Sequence, residues 1–148
     1  MKELEKIIAS ISRLEREIER LKVGERYQYP LWQNYTPASQ TGWTALPTGN
    51  YRYIAIGKLV ILRIAMTAGT SNATTASIAL PFTAANVVGS VGGANAYAID
   101  NGTGLTTMSK WAIGANSTVI DFYKDAAAGA WTASGTKRIN CVAIYERA

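Results

Sequence analysis

The most strand-like segment of the chain is residues 58–66, which read KLVILRIAM. Successive side chains of a β-strand point to opposite faces, so a strand here divides them into two sets. The two sets are Val60, Leu62, Ile64 and Met66 on one face and Leu59, Ile61, Arg63 and Ala65 on the other. Because both sets are mostly apolar, we expect both faces of this strand to be largely covered in the folded protein.

Further segments rich in β-branched and aromatic residues lie on either side of it, separated by short polar turns. They are residues 51–56, 75–80, 94–99, 106–113, 118–123 and 138–145. The predicted turns include residues 69–72, Gly92-Gly93 and residues 101–104, all of which contain glycine. About seven short strands at this spacing predict a mainly β domain over residues 49–148, an antiparallel β-sandwich with jelly-roll-like winding or a barrel.

Residues 1–24 follow a different repeat, in which apolar residues recur at alternating spacings of three and four. This is the pattern of an α-helical coiled coil, and its seam comprises Leu4, Ile7, Ile11, Leu14, Ile18 and Leu21. A helix this short has little stability alone, so the seam predicts that several copies pack side by side. Ile8 widens the apolar stripe and favours a homotrimer, whereas the Ile11/Leu14 layer favours a dimer. The alternative is a single amphipathic helix packed on its own domain.

Residues 25–48 link the helix to the sandwich and are rich in aromatic residues and proline. They include Tyr27, Tyr29, Trp32, Tyr35 and Trp43, with Pro30, Pro37 and Pro47. Proline excludes a regular helix, so we expect an extended connector. Five aromatic side chains left in water would form a large apolar patch, so we expect the connector to lie against its own sandwich or a neighbouring subunit. Binding to a partner as an exposed, extended ligand is the alternative.

The chain contains no histidine and a single cysteine, Cys141. Ser-His and Cys-His nucleophilic pairs and imidazole metal sites are therefore impossible, and no disulfide can form within the chain. A pair of carboxylates could still serve an enzyme that hydrolyses glycosides, and the candidate residues are Asp100, Asp121, Asp125 and Glu146. Asp121 lies within a predicted strand, where burial would raise its pKa, but one carboxylate is not a pair. We expect a protein that is not an enzyme and that needs no cofactor or metal.

Charge is concentrated in the helix: residues 1–26 carry seven Lys or Arg and six Asp or Glu, against eight and four in residues 27–148. The net charge of +5 is therefore +1 in residues 1–26 and +4 in residues 27–148, where it is spread thinly. No cluster of basic residues with interleaved aromatics is present, which argues against a nucleic-acid partner. No segment approaches the roughly 18 consecutive apolar residues of a membrane span, and no secretory signal is visible at the N-terminus. We expect synthesis in the cytosol and no membrane insertion.

Four segments resemble small structural proteins of tailed bacteriophages: residues 30–37 (PLWQNYTP), 53–60 (YIAIGKLV), 78–84 (IALPFTA) and 142–146 (VAIYE). The resemblance covers about residues 27–148. It implies a β-sandwich at the end of a tail fibre, in a minor tail protein, or in a head fibre or capsid decoration, and such proteins are commonly trimeric. About twenty helical residues provide a shaft of only about 30 Å, which favours a compact knob, spike or decoration protein over a complete fibre.

These observations predict a non-enzymatic, homotrimeric surface protein of a tailed-phage virion, assembled in the host cytoplasm and in contact with other virion proteins. As a tail-tip or fibre knob it would bind a host-surface polysaccharide; the alternative is a capsid decoration or head-fibre protein that stabilises or decorates the head. Candidate ligand-binding residues are Tyr97, Asp100, Asn101, Trp111, Tyr123 and Trp131. A structural role is the competing interpretation, with Trp111 and Tyr123 in the core and Trp131 at a subunit interface.

Overall fold

The computed structural model describes residue 6 and residues 10–18, 31–87, 91–94 and 97–148. The chain divides into two compact units, Met1–Leu31 and Trp32–Ala148. In the first unit, Lys6 and residues 10–18 are helical. The second unit is mainly β and its strands pair antiparallel, as the sequence predicts.

The strands are short and are numbered here in chain order. They are β1 (Gln33–Asn34), β2 (Gln40–Thr41), β3 (Gly49–Ile56), β4 (Leu59–Met66), β5 (Gly69–Thr70), β6 (Ser77–Ala79), β7 (Val91–Ala94), β8 (Tyr97–Asp100), β9 (Thr103–Gly104), β10 (Lys110–Ile113), β11 (Val119–Tyr123) and β12 (Thr136–Glu146).

Two antiparallel sheets contain these strands. The large sheet has the order β1-β3-β4-β12-β8-β9, with β5 also paired to β12, and the small sheet has the order β2-β6-β11-β10-β7. One hydrophobic core includes inward side chains from both sheets, such as Leu62 and Ile139 of the large sheet and Ile120 and Phe122 of the small sheet. This arrangement is consistent with a β-sandwich.

Tight turns set the register of two hairpins. Gly57, with a φ of +58°, lies in the two-residue turn that joins β3 to β4. Asn101 and Gly102, with φ of +48° and +78°, join β8 to β9. Positive φ at both central residues is the requirement of a type I′ turn, which asparagine followed by glycine meets at low cost. The prediction of a turn after Asp100 is confirmed.

The strand predictions for residues 51–56, 58–66, 118–123 and 138–145 are confirmed by β3, β4, β11 and β12. The prediction for residues 75–80 is confirmed in part, since only Ser77–Ala79 form β6. Residues 106–113 are a strand only from Lys110, and the predicted strand at 94–99 is divided between the end of β7 and β8.

The turns predicted at residues 69–72 and at Gly92-Gly93 are wrong. The glycines there lie in strands, where a side chain would collide with neighbouring atoms. Gly92 and Gly93 lie inside β7, and Gly69 begins β5, which pairs with β12. Within a single chain, the expectation that both faces of β4 are covered is confirmed for one face only. Its inward residue Leu62 is fully buried, but its outward residue Leu59 is 44% exposed.

Half of the predicted coiled-coil seam lies within the described residues. Ile11, Leu14 and Ile18 are helical, and their side chains are 50%, 62% and 49% exposed. Leu4, Ile7 and Leu21 lie outside the described residues, as does Ile8. Within the described ranges, no helix is long and apolar enough to cross a membrane.

Part of the aromatic connector packs in the second unit. Trp43 is 2% exposed and belongs to the core, and its indole N–H donates to the Lys137 carbonyl at 3.0 Å. Tyr35 packs edge-on against Tyr51, with ring centres 6.2 Å apart. The expectation that the connector lies against its own sandwich is therefore confirmed for these residues, while Tyr27, Tyr29 and Pro30 lie outside the described residues.

Candidate binding surfaces

The outer face of the large sheet carries a continuous set of apolar side chains, which we call the apolar face. Its members are Ile54 and Ile56 of β3, Leu59 and Ile61 of β4, and Val142 and Ile144 of β12. They adjoin one another because these three strands are neighbours and their register is antiparallel. Four of the six are between 44% and 54% exposed, and Ile54 and Ile61 are partly exposed.

The centre of the apolar face is a row of isoleucines. Ile61 is the register partner of Ile54 on one side and of Ile144 on the other. Cross-strand neighbours on one face of a sheet contact each other closely, so the three side chains form one apolar ridge. A continuous exposed apolar patch is uncommon on a monomeric soluble protein.

Charged residues lie at two margins of the apolar face. Arg63 is the register partner of both Arg52 and Val142, so two guanidinium groups border the face at one end. At the other end Lys58 Nζ lies 3.9 Å from a Glu146 carboxylate oxygen, and both side chains are largely exposed. An apolar centre with a polar rim is the usual composition of a protein–protein contact surface.

The outer face of the small sheet has the opposite character, because small and polar side chains cover it. Asp121 of β11 is paired with Ala112 of β10 on one side and with Ser77 of β6 on the other. Gly92 of β7 and Thr41 of β2 continue this row to the two edges of the sheet. The only charged group in the row is therefore the Asp121 carboxylate.

Asp121 opens into a cavity of about 310 Å³, which we call the Asp121 cavity. Its lining comprises Thr74, Thr75, Ala76, Asp121, Phe122, Tyr123, Ala128, Gly129, Ala130 and Trp131. Partial burial raises the pKa of the Asp121 carboxyl. Among the described residues no hydrogen bond or ion pair engages this carboxylate. Its oxygen atoms are thus free to accept hydrogen bonds from a bound molecule.

The loop that forms one wall of the cavity is held by its own hydrogen bonds. The Gly129 N–H donates to the Asp125 carboxylate at 2.9 Å, and the Lys124 N–H donates to the Gly129 carbonyl at 3.0 Å. A Cβ at position 129 would collide with the Asp125 carboxylate, which explains the glycine. Ala128 has a φ of +65°, a conformation that costs free energy in a residue with a side chain.

A second part of the cavity lining, at Thr74 and Thr75, is anchored by a buried lysine. Lys137 is fully buried, and its ammonium donates to the carbonyls of Ala73, Gly42 and Thr75 at 2.9, 3.2 and 3.3 Å. It also lies 5.6 Å from the ring centre of Trp131, a cation–π contact. Burial lowers the pKa of Lys137 to about 8, although the negative charge of Asp100 acts in the opposite direction.

Asp100 forms a second buried polar cluster with the segment that follows Trp131. Its carboxylate accepts hydrogen bonds from the N–H and the hydroxyl of Thr132, both at 2.9 Å, and pairs with Lys124 Nζ at 2.8 Å. Asp100 is only 4% exposed. Burial alone would raise the pKa of this carboxyl, but the contacts with Lys124 and Thr132 outweigh it and lower the pKa.

The six candidate ligand-binding residues do not form one cluster. Tyr123 and Trp131 both line the Asp121 cavity. Trp111 is 5% exposed in the core, and Asp100 is engaged as just described. Asn101 is an exposed residue of the β8–β9 turn.

Tyr97 lies on the large sheet, 46% exposed, and the Arg138 guanidinium lies 5.1 Å from its ring centre.

The sequence suggests Asp121 only as a catalytic carboxylate and does not connect it with Tyr123 and Trp131. The alternation of residues 119–123 identifies Asp121 and Tyr123 as sharing a face, and this signal was available in the sequence.

The described residues offer no evident nucleophile or metal site. Cys141 is buried in the core, and burial raises the pKa of its thiol to about 12, so it remains a neutral thiol at ordinary pH. In the described part of the chain, no three acidic or cysteine side chains are grouped in a way that could hold a metal ion.

Comparison with known proteins does not assign the chain to a family: no protein-family model matches it, and no curated protein matches it significantly.

Proposed function

We propose that the protein is a non-enzymatic, homotrimeric structural protein on the surface of a tailed-phage virion, a tail-tip or fibre knob that binds a host-surface saccharide. The assignment to a virion is supported by the resemblance of residues 27–148 to small structural proteins of tailed phages. The geometry supports the assembly of copies, and the single observation that carries this step is the apolar face of the large sheet.

The apolar face needs a partner because isoleucine and leucine side chains lose favourable free energy when water covers them. Fully burying one such side chain is worth about 1.5–3 kcal/mol, and the face contains five isoleucine or leucine residues together with Val142. The helix presents a second apolar surface, formed by Ile11, Leu14 and Ile18. Among the described residues, each unit therefore carries one exposed apolar surface, and packing of identical copies would cover both.

The finer architecture forms part of the same proposal. The helices form a parallel three-stranded coiled coil, in which Ile8 broadens the contact so that each helix touches two others. The winding of the sandwich is jelly-roll-like, since the chain passes repeatedly from one sheet to the other between β4 and β12. The protein is assembled in the host cytoplasm and joins the particle through contacts with other virion proteins.

Immunogold electron microscopy of phage particles from the source strain tests this function, combined with the mass of the purified full chain in solution. We expect a mass of three chains and label confined to the tail tip. Label spread over the head would replace the knob with the alternative, a capsid decoration or head-fibre protein. Particles without label, or a purified chain that is monomeric at micromolar concentration, would refute the proposal.

A further inference from the structure

We propose that the Asp121 cavity binds one neutral pyranose unit of a bacterial surface polysaccharide, with the Asp121 carboxylate accepting hydrogen bonds from its hydroxyl groups. The inference deepens the proposed function and rests on it only for the source of the polysaccharide. Its physical basis is the lining of the cavity, which combines one free acceptor, several hydroxyl groups and an aromatic ring.

The carboxylate is the strongest polar group available to a ligand. It is partly buried, and the described residues give it no donor. A partly buried carboxylate without a donor is unfavourable, and two hydroxyl groups on adjacent carbons of a sugar can supply donors to both oxygens. The free carboxylate therefore favours a ligand that carries several hydroxyl groups.

The side chains around Asp121 leave room for a ring and can make further contacts. Its register partners, Ser77 and Ala112, are small, so no bulky side chain stands directly opposite Asp121 on either neighbouring strand. Thr74 and Thr75 are exposed at the wall, where their hydroxyls can both donate and accept. Tyr123 adds an aromatic ring against which the C–H groups of a sugar can pack.

Electrostatics favour a neutral ligand over a charged one. The carboxylate itself repels an anion. For a cation, the Lys110 ammonium already occupies a position 5.1 Å from the ring centre of Tyr123, a lining residue, and donates to the Ala126 carbonyl, so the protein itself supplies a positive charge beside the cavity. A volume of about 310 Å³ falls at the small end of the range of ligand sites, which suits a single sugar unit.

Both walls of the cavity are held in place before any ligand arrives. Asp125 fixes the loop at Gly129, and Lys137 fixes the segment at Ala73 and Thr75. A site that is already ordered loses little conformational entropy on binding, so a weak set of contacts can still give measurable affinity.

Protein-observed NMR on the full chain tests the inference, with methyl glycosides of glucose, galactose, mannose and N-acetylglucosamine as probes at millimolar concentration. At least one glycoside should shift amide signals of residues 74–76, 121–123 and 128–131. Asp121→Asn keeps the size of the side chain but removes its charge, and should weaken binding at least about tenfold. Glu146→Gln, a carboxylate change on the other sheet, should leave binding unaltered.

Three results would overturn the inference: no shift with any of the four glycosides, shifts confined to other residues, or equal affinity in Asp121→Asn. Methylammonium is a fifth probe, and binding of it alone, lost in Asp121→Asn, would identify a cation site and reject the saccharide. The NMR experiment uses isolated protein and the immunogold experiment uses particles. Absence of glycoside binding with label at the tail tip would therefore reject the Asp121 cavity as the saccharide site and leave the proposed virion location and assembly standing. Glycoside binding without label on particles would support the site and reject the virion location.

Discussion

The indole ring of Trp111 lies directly over Gly93, its register partner on the neighbouring strand. A Cβ built on Gly93 would lie 2.8 Å from Cζ2 and 2.9 Å from Cε2 of that ring. Trp111 is almost fully buried, so the ring has little freedom to move away. The glycine thus makes room for the tryptophan in the core of the small sheet.

We expect Gly93→Ala to lower the free energy of unfolding by about 1–3 kcal/mol, because the added methyl group overpacks the core. Chemical denaturation followed by tryptophan fluorescence measures the change. Gly114→Ala is the matched control, since a Cβ there meets nothing within 4 Å and its φ is not positive. An equal effect of the two substitutions would show that Trp111 does not occupy the space above Gly93.

Asp100→Asn should destabilise the sandwich by about 2 kcal/mol, because the buried carboxylate accepts charge-assisted bonds from Lys124 and Thr132. The same contacts lower its pKa in the folded state, so their contribution is present above the ordinary pKa near 3.8 and is lost as the pH falls through the lower folded value. Unfolding free energies measured from pH 7 down to pH 3 should therefore converge for the two proteins. A constant difference across that range would contradict the role of the charge.

Lys137 should make the folded protein more stable as the pH rises from about 8 to 10.5. Its pKa is about 8 when folded and 10.5 when exposed, so in this interval the unfolded chain binds more protons and stability rises with pH. Tyr51 and Tyr145 act in the opposite direction at higher pH, because burial raises their pKa to about 12. The difference between the wild type and a Lys137 variant removes this common effect.

Lys137→Met is the variant of choice, with the exposed Lys58→Met as control. The wild type should gain stability relative to Lys137→Met between pH 8 and 10.5, whereas its difference from Lys58→Met should not change. A stability difference from Lys137→Met that is independent of pH would mean that the ammonium keeps the pKa of an exposed lysine.

The sequence predicts those features of the fold that depend on residues close together in the chain. The inward set of β4, including Leu62, follows from an alternation visible in nine consecutive residues. The sequence predicts a turn at Gly93, which lies in a strand, because glycine is common in turns and the register partner of Gly93, Trp111, lies on another strand. Pairing between distant strands is information that a single sequence does not contain.

The candidate site was predicted only in part for the same reason. The sequence predicts Tyr123 and Trp131 as aromatic contacts for a ligand, and both residues line the Asp121 cavity. The register partners of Asp121, Ser77 and Ala112, lie on two other strands, and the lining residues Thr74 and Thr75 come from a distant part of the chain. Asp100 looked available for a ligand because nothing near it in the sequence reveals that Thr132 and Lys124 occupy its carboxylate.

The double substitution Ile61→Thr and Ile144→Thr should weaken association of the sandwich at least about tenfold. Threonine keeps the β-branched shape that suits a strand but removes apolar area from the centre of the apolar face. Sedimentation equilibrium should show a lower mass at a given concentration, with an unchanged circular dichroism spectrum. Val119→Thr, the same kind of change on the small sheet, is the control, and unchanged association in the double variant would exclude the apolar face from the assembly.

Ile11→Asn and Ile18→Asn should weaken association independently of the sheet, because a polar amide at a seam position lowers the stability of a coiled coil. Ile11 and Ile18 are about half exposed in the single chain, so the change costs nothing within one helix beyond its modest propensity effect. Ser12→Asn, which lies off the seam, reproduces that propensity effect without altering the seam. If the mass of the oligomer falls equally with Ser12→Asn, or does not fall with the seam variants, then the helices do not join the copies.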